Sequence, residues 1–273
     1  MKIYKSITSN RLFMLKHIAF VTPILLLVAI SLMLVGCGGS SGSSSGGGGG
    51  GGSTPGQAQG VYTGTASNGD TFNSIALPND QIYADYGTLS GNVLFICGLI
   101  TGQGVSKSGT YTANVTVFDY CTGSLLVLTG SVNASYVAGS SLNGTLTDSN
   151  GTVTFTGTTP ADFNYNTPAS FSAISGTWTG TLIDGTTAIV SVSSTGSVSG
   201  SDSGCTFSGT VTPDSSNKNF FDLSLTFGGS PCAFPNQTAT GIAVDYPLST
   251  GLTQLVAAAT IGTSAGTVFA AQR

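Results

Sequence analysis

The chain has 273 residues, of which 40% are hydrophobic and only 7% are charged, and its formal net charge is −4. Its acidic residues are all Asp, and its one histidine is His17. An acidic chain this poor in cations is repelled by nucleic acid and by anionic headgroups, which argues against binding either. Beyond residue 17 it also lacks imidazole, the commonest general base and zinc ligand, so neither a metal nor a cofactor is expected.

The first 36 residues have the order of an export signal. A basic leader precedes the apolar run Ile18 to Val35. The end of this run forms the sequence Leu34-Val35-Gly36-Cys37, and a Gly/Ser tract follows it. A transmembrane helix is the alternative, because such a span needs about 20 apolar residues. The small Gly36 and the abrupt loss of hydrophobicity favour cleavage instead. Either Met1 or Met14 can serve as the start.

The segment before Cys37 resembles the lipobox of bacterial lipoproteins. The resemblance implies that residues 1–36 are removed and that Cys37 is lipidated on its thiol and acylated on its new amine. Two or more acyl chains give lasting membrane attachment. Because Gly38 is not Asp, the resemblance also implies the outer membrane, and it leaves the periplasmic and cell-surface faces open.

Residues 37–59 are expected to form a flexible tether, because most of them are Gly or Ser. A coil of this length has a root-mean-square reach of about 25 Å. After cleavage only Lys107, Lys218 and Arg273 remain against eleven Asp, which gives a net charge near −8.

An internal repeat with an offset near 115 residues follows the tether. Tyr62-Thr63-Gly64-Thr65 corresponds to Trp178-Thr179-Gly180-Thr181. The repeat predicts two related domains, residues 60–160 and 174–273, joined by a linker at 161–173.

Apolar residues alternate with Ser, Thr and Asn in both domains, and Gly or Asn interrupts them every ten to thirteen residues, as in antiparallel hairpins. The fold class is therefore all-β. The predicted strands are 60–66, 71–77, 80–86, 92–101, 109–118, 124–137, 140–148, 151–158, 175–183, 186–193, 196–202, 204–212, 219–227, 237–246, 251–259 and 265–272. Eight short strands in each domain favour two tandem up-and-down barrels, since closure removes edges. A sandwich is the alternative.

Four cysteines remain besides Cys37, and an even number in an exported protein indicates disulfides. Of three connectivities we expect Cys97 to pair with Cys121 and Cys205 with Cys232, because two cysteines fall in each half of the chain. Each bond would stabilise its half by about 3 kcal/mol in the chain-entropy model.

Two segments, residues 93–100 and 125–128, are apolar on both faces, so something must cover their outer side. The candidate interface residues are Leu94, Ile96, Leu126 and Leu128. Either the second domain and the linker cover them, or a partner protein does.

Catalytic motifs are weak. Asp202-Ser203-Gly204 has the form of an aspartic protease triplet, but that mechanism needs two carboxylates and the first domain has no counterpart. A hydrolase based on Asp80, Asp85, Asp202 or Asp245 ranks below the two functions considered in the next paragraph. We expect no enzyme.

The layout of lipobox, Gly tether and paired β-domains resembles surface lipoproteins such as the factor H-binding and transferrin-binding proteins. Segments such as Gly60-Val61-Tyr62-Thr63-Gly64-Thr65 and Gly204-Cys205-Thr206-Phe207 are similar to those of uncharacterised Gram-negative outer-membrane lipoproteins. The resemblance concerns architecture and implies no activity, ligand or site. Our leading hypothesis is a lipid-anchored, non-enzymatic outer-membrane lipoprotein that serves as an envelope interaction or structural module, and we expect a monomer. A lipocalin-like carrier of a small apolar ligand is the alternative.

Overall fold

The structure is a computed structural model that describes residues 57–90, 93–248 and 250–273. The predicted signal peptide, the predicted lipidation site Cys37 and most of the predicted tether lie outside the described residues.

The first barrel consists of eight antiparallel strands in sequential order, and β1 pairs with β8 to close it. This closure matches Thr63 with Thr158 and Ala66 with Phe155. The strands are β1 (Gly60–Ala66), β2 (Thr71–Ala76), β3 (Gln81–Ser90), β4 (Val93–Lys107), β5 (Thr110–Asp119), β6 (Leu126–Val137), β7 (Ser141–Asp148) and β8 (Gly151–Thr158).

The second barrel has the same up-and-down order, and β16 pairs with β9 to close it. A single turn of helix, α1 (Phe171–Ile174), precedes it. The strands are β9 (Gly176–Leu182), β10 (Thr187–Val192), β11 (Ser197–Asp202), β12 (Cys205–Pro213), β13 (Phe221–Phe227), β14 (Thr238–Pro247), β15 (Thr253–Ile261) and β16 (Ala265–Gln272).

The predicted all-β fold with two eight-stranded barrels is confirmed, and the barrels replace the sandwich alternative. The largest differences in strand bounds lie in β3 and β4, which form a longer hairpin than predicted, with a bulge opposite Tyr86 and Gly87. A bulge adds a residue to one strand and shifts the alternation of inward and outward side chains. The sequence pattern therefore loses its period there before the strands end.

The repeated Gly64 and Gly180 show why the two halves share a sequence pattern. Each lies on the first strand of its barrel, where that strand meets the last one. A Cβ atom on Gly64 would collide with the backbone oxygen of Thr156, and one on Gly180 would collide with that of Ala270. Glycine is required at these positions because the two backbones approach too closely for a side chain.

Three apolar clusters hold the molecule together, and only two of them are barrel interiors. The third lies between the barrels and is built from the outer faces of β1 to β5, the linker and the outer faces of β14 to β16. Its fully buried members include Val61, Leu99 and Phe118. The two barrels therefore share a core. Within the described ranges, no helix is long and apolar enough to cross a membrane.

Candidate functional site: the open ends of the barrels

Each barrel is closed at the end where its first strand begins. In the first barrel, the Tyr62 hydroxyl donates a hydrogen bond to the backbone oxygen of Ala58 at 2.8 Å. In the second, Trp178 Nε1 donates one to the backbone oxygen of Ile174 at 2.7 Å. All four residues are buried. Each aromatic ring fills the end of its barrel while its polar atom is satisfied by the segment that covers it.

The described chain begins at this closed end of the first barrel. The Gln57 backbone nitrogen donates a hydrogen bond to Ser106 Oγ at 2.6 Å, and the Tyr136 hydroxyl donates one to Gln57 Oε1 at 2.7 Å. Both partners lie close to the turns that join β4 to β5 and β6 to β7. Residue 57 is thus fastened at the end of the barrel opposite its opening.

The three cations of the described chain also lie at the closed ends. Lys107 ends β4, and Lys218 lies in the loop between β12 and β13, 5.5 Å from the centre of the Tyr165 ring. The guanidinium carbon of Arg273 lies 3.9 Å from the centre of the Trp178 ring. Within residues 57–273, all Lys and Arg side chains that the structure describes therefore lie at the closed ends.

The opposite ends carry the disulfides, and both predicted pairings are confirmed. Cys97 on β4 bonds to Cys121 in the loop between β5 and β6. Cys205 at the start of β12 bonds to Cys232 in the equivalent loop between β13 and β14. In each barrel the bond fastens a loop at the open end to a strand of the wall.

A cavity of about 400 Å³ extends from the open end into the first barrel. Its deep part is lined by the buried side chains of Ile82, Val132 and Leu142. The rings of Phe72 and Phe155 stack edge to face in its wall, with centroids 5.7 Å apart. Small-molecule sites have volumes of roughly 300 to 1,000 Å³ and are mainly apolar, so this cavity has the size and lining of one.

Three carboxylates, those of Asp70, Asp119 and Asp148, line the opening of this cavity. The Cys121 backbone nitrogen donates to Asp119 Oδ1 at 2.7 Å, and the Asn150 backbone nitrogen donates to Asp148 Oδ1 at 2.7 Å. In the described part of the chain, no three Asp or Cys side chains are arranged to hold a metal ion. The carboxylates of Asp119 and Asp148 are thus each held by a backbone nitrogen of their own loop.

All three carboxylates raise the pKa of the same phenol, that of Tyr86. Burial raises the pKa of Tyr86, and the charges of Asp119, Asp70 and Asp148 raise it further. Tyr86 lines the same cavity. The opening is therefore a region of negative potential that extends inward to this hydroxyl group.

The cavity in the second barrel is smaller, at about 210 Å³. The rings of Phe207 and Phe227 narrow it, with centroids 6.2 Å apart, and Phe234 reaches it from the loop between β13 and β14. At its opening, the Thr186 hydroxyl lies 2.7 Å from Asp184 Oδ1 and 3.3 Å from Asp202 Oδ2. The second cavity therefore has about half the volume of the first.

Tyr120 connects the two openings. It lines the second cavity, whereas its neighbours Asp119 and Cys121 line the first. Burial raises the pKa of Tyr120, and the charge of Asp184 raises it further. The open ends of the two barrels are therefore adjacent.

The core between the barrels contains one buried carboxyl group, that of Asp85 on β3. Its side chain is 8% exposed and accepts a hydrogen bond from Asn73 Nδ2 at 2.9 Å. Burial raises the pKa of Asp85 to about 7, against the opposing effect of the hydrogen bonds from Asn73. Burial also raises the pKa of Tyr246 on β14, and the charges of Asp85 and Asp245 raise it further. The contact between the barrels thus includes a group that titrates near neutral pH.

The four predicted interface residues lie in different environments. Ile96 packs against the core between the barrels, and Leu128 lines the first cavity. Leu94 is half-buried on the hairpin of β3 and β4, and Leu126 is 43% exposed. The structure does not join these four residues into one surface, and their role in binding a partner stays a prediction.

The four aspartates of the hydrolase hypothesis are not gathered into one site. Asp80 lies at the closed end of the first barrel, where it accepts hydrogen bonds from the Ser106 nitrogen at 3.0 Å and hydroxyl at 2.6 Å. Asp202 lines the opening of the second cavity. Only Asp85 and Asp245 lie near a common group, the phenol of Tyr246.

Sequence reasoning missed the carboxylates at the first opening. Asp70, Asp119 and Asp148 each lie at the end of a strand or in a turn, where Asp is common for local reasons. The predicted barrel topology could have located them, because every second hairpin turn of an up-and-down barrel lies at the same end of the barrel. Sequence reasoning also missed the covering face of the second barrel, which the consecutive apolar residues Ile242-Ala243-Val244 and Leu255-Val256 indicate.

The fold and its open ends define a tandem β-barrel protein with a ligand-sized cavity. Comparison with solved structures matches the isotype 1 transferrin-binding protein B of Neisseria meningitidis serogroup B, at 14% identity and a TM-score of 0.26. The match covers 76% of this chain and 64% of that chain. Transferrin-binding proteins are among the surface lipoproteins that the layout of this sequence resembles. No protein-family model and no curated protein matches the chain.

Proposed function

We propose that this protein is an outer-membrane lipoprotein, anchored through Cys37, whose two barrels form a non-enzymatic interaction module of the envelope. The proposal depends mainly on one observation, which is that the two barrels have their closed ends and their open ends arranged in the same way. Both are plugged at one end, both have disulfide-fastened loops at the other, and Tyr120 brings the open ends together. A module with this arrangement presents two adjacent openings on one side.

The position of Gln57 supports the same orientation. Gln57 and Ala58 are held at the closed end of the first barrel, so the part of the predicted tether that precedes residue 57 would lead from that end to the membrane. The open ends would then face away from the bilayer. The two openings carry five Asp and no Lys or Arg, and this agrees with the same orientation, because anionic headgroups repel carboxylates.

The anchor is tested by a Cys37→Ala variant in the native host. We expect labelled palmitate to enter the wild-type protein and not the variant, and we expect only the wild type to remain with the outer membrane. Protease treatment of intact cells then distinguishes the two faces, because only a surface-exposed tether is cut. Normal palmitate labelling and membrane partition of Cys37→Ala would refute the anchor.

The cavity of the first barrel favours a second candidate function, that of a small-molecule carrier. Its volume of about 400 Å³ and its apolar lining are those of a ligand site. Native mass spectrometry of protein isolated from its own host tests this function. A stoichiometric small molecule supports the carrier, and ligand-free protein in every preparation refutes it.

A further inference from the structure

The first cavity is a deep, narrow apolar channel. Leu142 near its floor and Asp148 at its opening both lie on β7, six positions apart. At about 3.3 Å per residue this is about 20 Å of strand, or about 15 Å along the barrel axis for a strand tilted by about 40°. An eight-stranded barrel has room for one small ligand at most. A single extended apolar chain fits these dimensions.

The opening of the channel has one sign of charge. Asp70, Asp119 and Asp148 line it, and all three act on the phenol of Tyr86. None of the described residues that line the channel is Lys or Arg. A ligand whose charged group reaches this opening therefore meets carboxylates in partly desolvated surroundings, where charge interactions are stronger than in water.

The module as a whole is also more negative at its openings than at its closed ends. Five Asp lie at the two openings with no Lys or Arg among them, whereas at the closed ends the three cations lie together with Asp80 and Asp214. Carboxylates gathered at a concave opening raise the local concentration of cations and repel anions. An anionic amphiphile such as a fatty acid would have to place its carboxylate beside three others.

We propose that the cavity of the first barrel binds a cationic amphiphile. Its apolar chain lies in the channel toward Leu142, and its cationic group lies at the opening among Asp70, Asp119 and Asp148. This inference rests on the carrier function and specifies the chemical class of its ligand. We expect the second barrel not to hold the same ligand, because its cavity has about half the volume and only two carboxylates at its opening.

The test uses the intact lipoprotein in lipid nanodiscs, with empty nanodiscs as the blank, and isothermal titration below micelle formation. The probes are decyltrimethylammonium, decanoate with the same chain length and opposite charge, and tetramethylammonium without the chain. We expect decyltrimethylammonium to bind at one per protein, at least about tenfold more tightly than either other probe. Its affinity should fall as salt rises, since salt screens partly exposed charges.

Two double variants separate the local effect from net charge. Asp119→Asn with Asp148→Asn removes two carboxylates from the opening, and each Asn can still accept the backbone hydrogen bond of its loop. This variant should bind decyltrimethylammonium about five- to tenfold more weakly, the size expected for two partly exposed charge pairs. Asp162→Asn with Asp214→Asn changes the net charge equally, away from the opening, and should shift the affinity less than about twofold.

A third variant tests the channel. Ala84 is buried and lines the cavity, so Ala84→Phe fills it from one wall. Circular dichroism and intact disulfides report whether this variant folds, and a folded Ala84→Phe protein should lose binding. The inference is overturned if decanoate binds as tightly as the ammonium probe, if the Asp119/Asp148 variant binds unchanged, or if no probe binds. Equal binding of both charged probes would leave the carrier function standing, and the palmitate experiment decides the anchor independently.

Discussion

The two barrels agree at their closed ends and differ at their openings. At the closed end the hydrogen bond from Tyr62 to Ala58 is repeated by that from Trp178 to Ile174. At the openings, the first barrel has three carboxylates around a cavity of about 400 Å³, and the second has two carboxylates and a cavity of about 210 Å³. The shared features close and reinforce each barrel. The differences lie where a ligand would enter.

Substitutions in the core between the barrels should lower the free energy of unfolding most, because both barrels pack against this core. Leu99 is fully buried there. Leu99→Asp should lower the free energy of unfolding by about 5 kcal/mol, since it removes a packed side chain and buries an unpaired charge. Leu126→Asp is the matched control at a 43% exposed position and should cost less than about 1 kcal/mol. Chemical denaturation measures both. Equal costs would contradict the shared core.

The core between the barrels also predicts a pH dependence of stability, which arises chiefly from the buried carboxyl group of Asp85. The pKa of Asp85 is about 7 in the folded protein, raised from 3.8 by burial. Its contribution to stability is therefore full below pH 4 and is lost as the pH rises to about 7 and beyond. The loss is at most about 4 kcal/mol at 1.36 kcal/mol per pH unit.

Asp85→Asn should remove most of this slope and keep the hydrogen bond from Asn73. Unfolding curves at pH 4, 6 and 8 measure it, and Asp162→Asn serves as the control. An Asp85→Asn protein whose stability still falls as steeply as that of the wild type would show that Asp85 is not the titrating group.

The disulfides should contribute equally to the two barrels. They span 24 and 27 residues, so in the chain-entropy model each stabilises the protein by about 3 kcal/mol. Replacing Cys97 and Cys121 by Ser should therefore cost about as much as replacing Cys205 and Cys232. Denaturation under non-reducing conditions measures both. A difference of more than about 2 kcal/mol would mean that one open-end loop is held mainly by other contacts.

The smallest expected effect is at the plug of the first barrel. Tyr62→Phe removes the hydrogen bond to Ala58 and keeps the ring, so it should cost about 1 to 2 kcal/mol. Exchange of the backbone amides near the closed end should become faster, while that of the amides around the opening stays the same. An unchanged exchange pattern at the closed end would contradict the role of this hydroxyl.

Much of the fold could be predicted because the alternation of side chains and the turn residues are local signals. Phe221 and Leu223 point inward and Asp222 outward, as their spacing predicts. The disulfide pairing followed from the repeat. The long hairpin of β3 and β4 could not be predicted, because its bulge interrupts the alternation.

The candidate site could not be predicted from the sequence. Asp70, Asp119 and Asp148 are separated by dozens of residues, and only closure of the barrel brings them to one opening. The size of a cavity depends on side-chain volumes summed over all eight strands. Phe234 lies in a loop between strands, so the sequence does not indicate that it reaches the second cavity.

The most direct test is a methyl-resolved NMR titration of the protein in nanodiscs with decyltrimethylammonium. The leucines of the two cavities report separately, since Leu128, Leu142 and Leu146 line the first while Leu223, Leu225 and Leu255 line the second. We predict shifts for the first set at one equivalent of ligand and none for the second set. Equal shifts in both sets, or shifts in neither, would contradict a binding cavity confined to the first barrel.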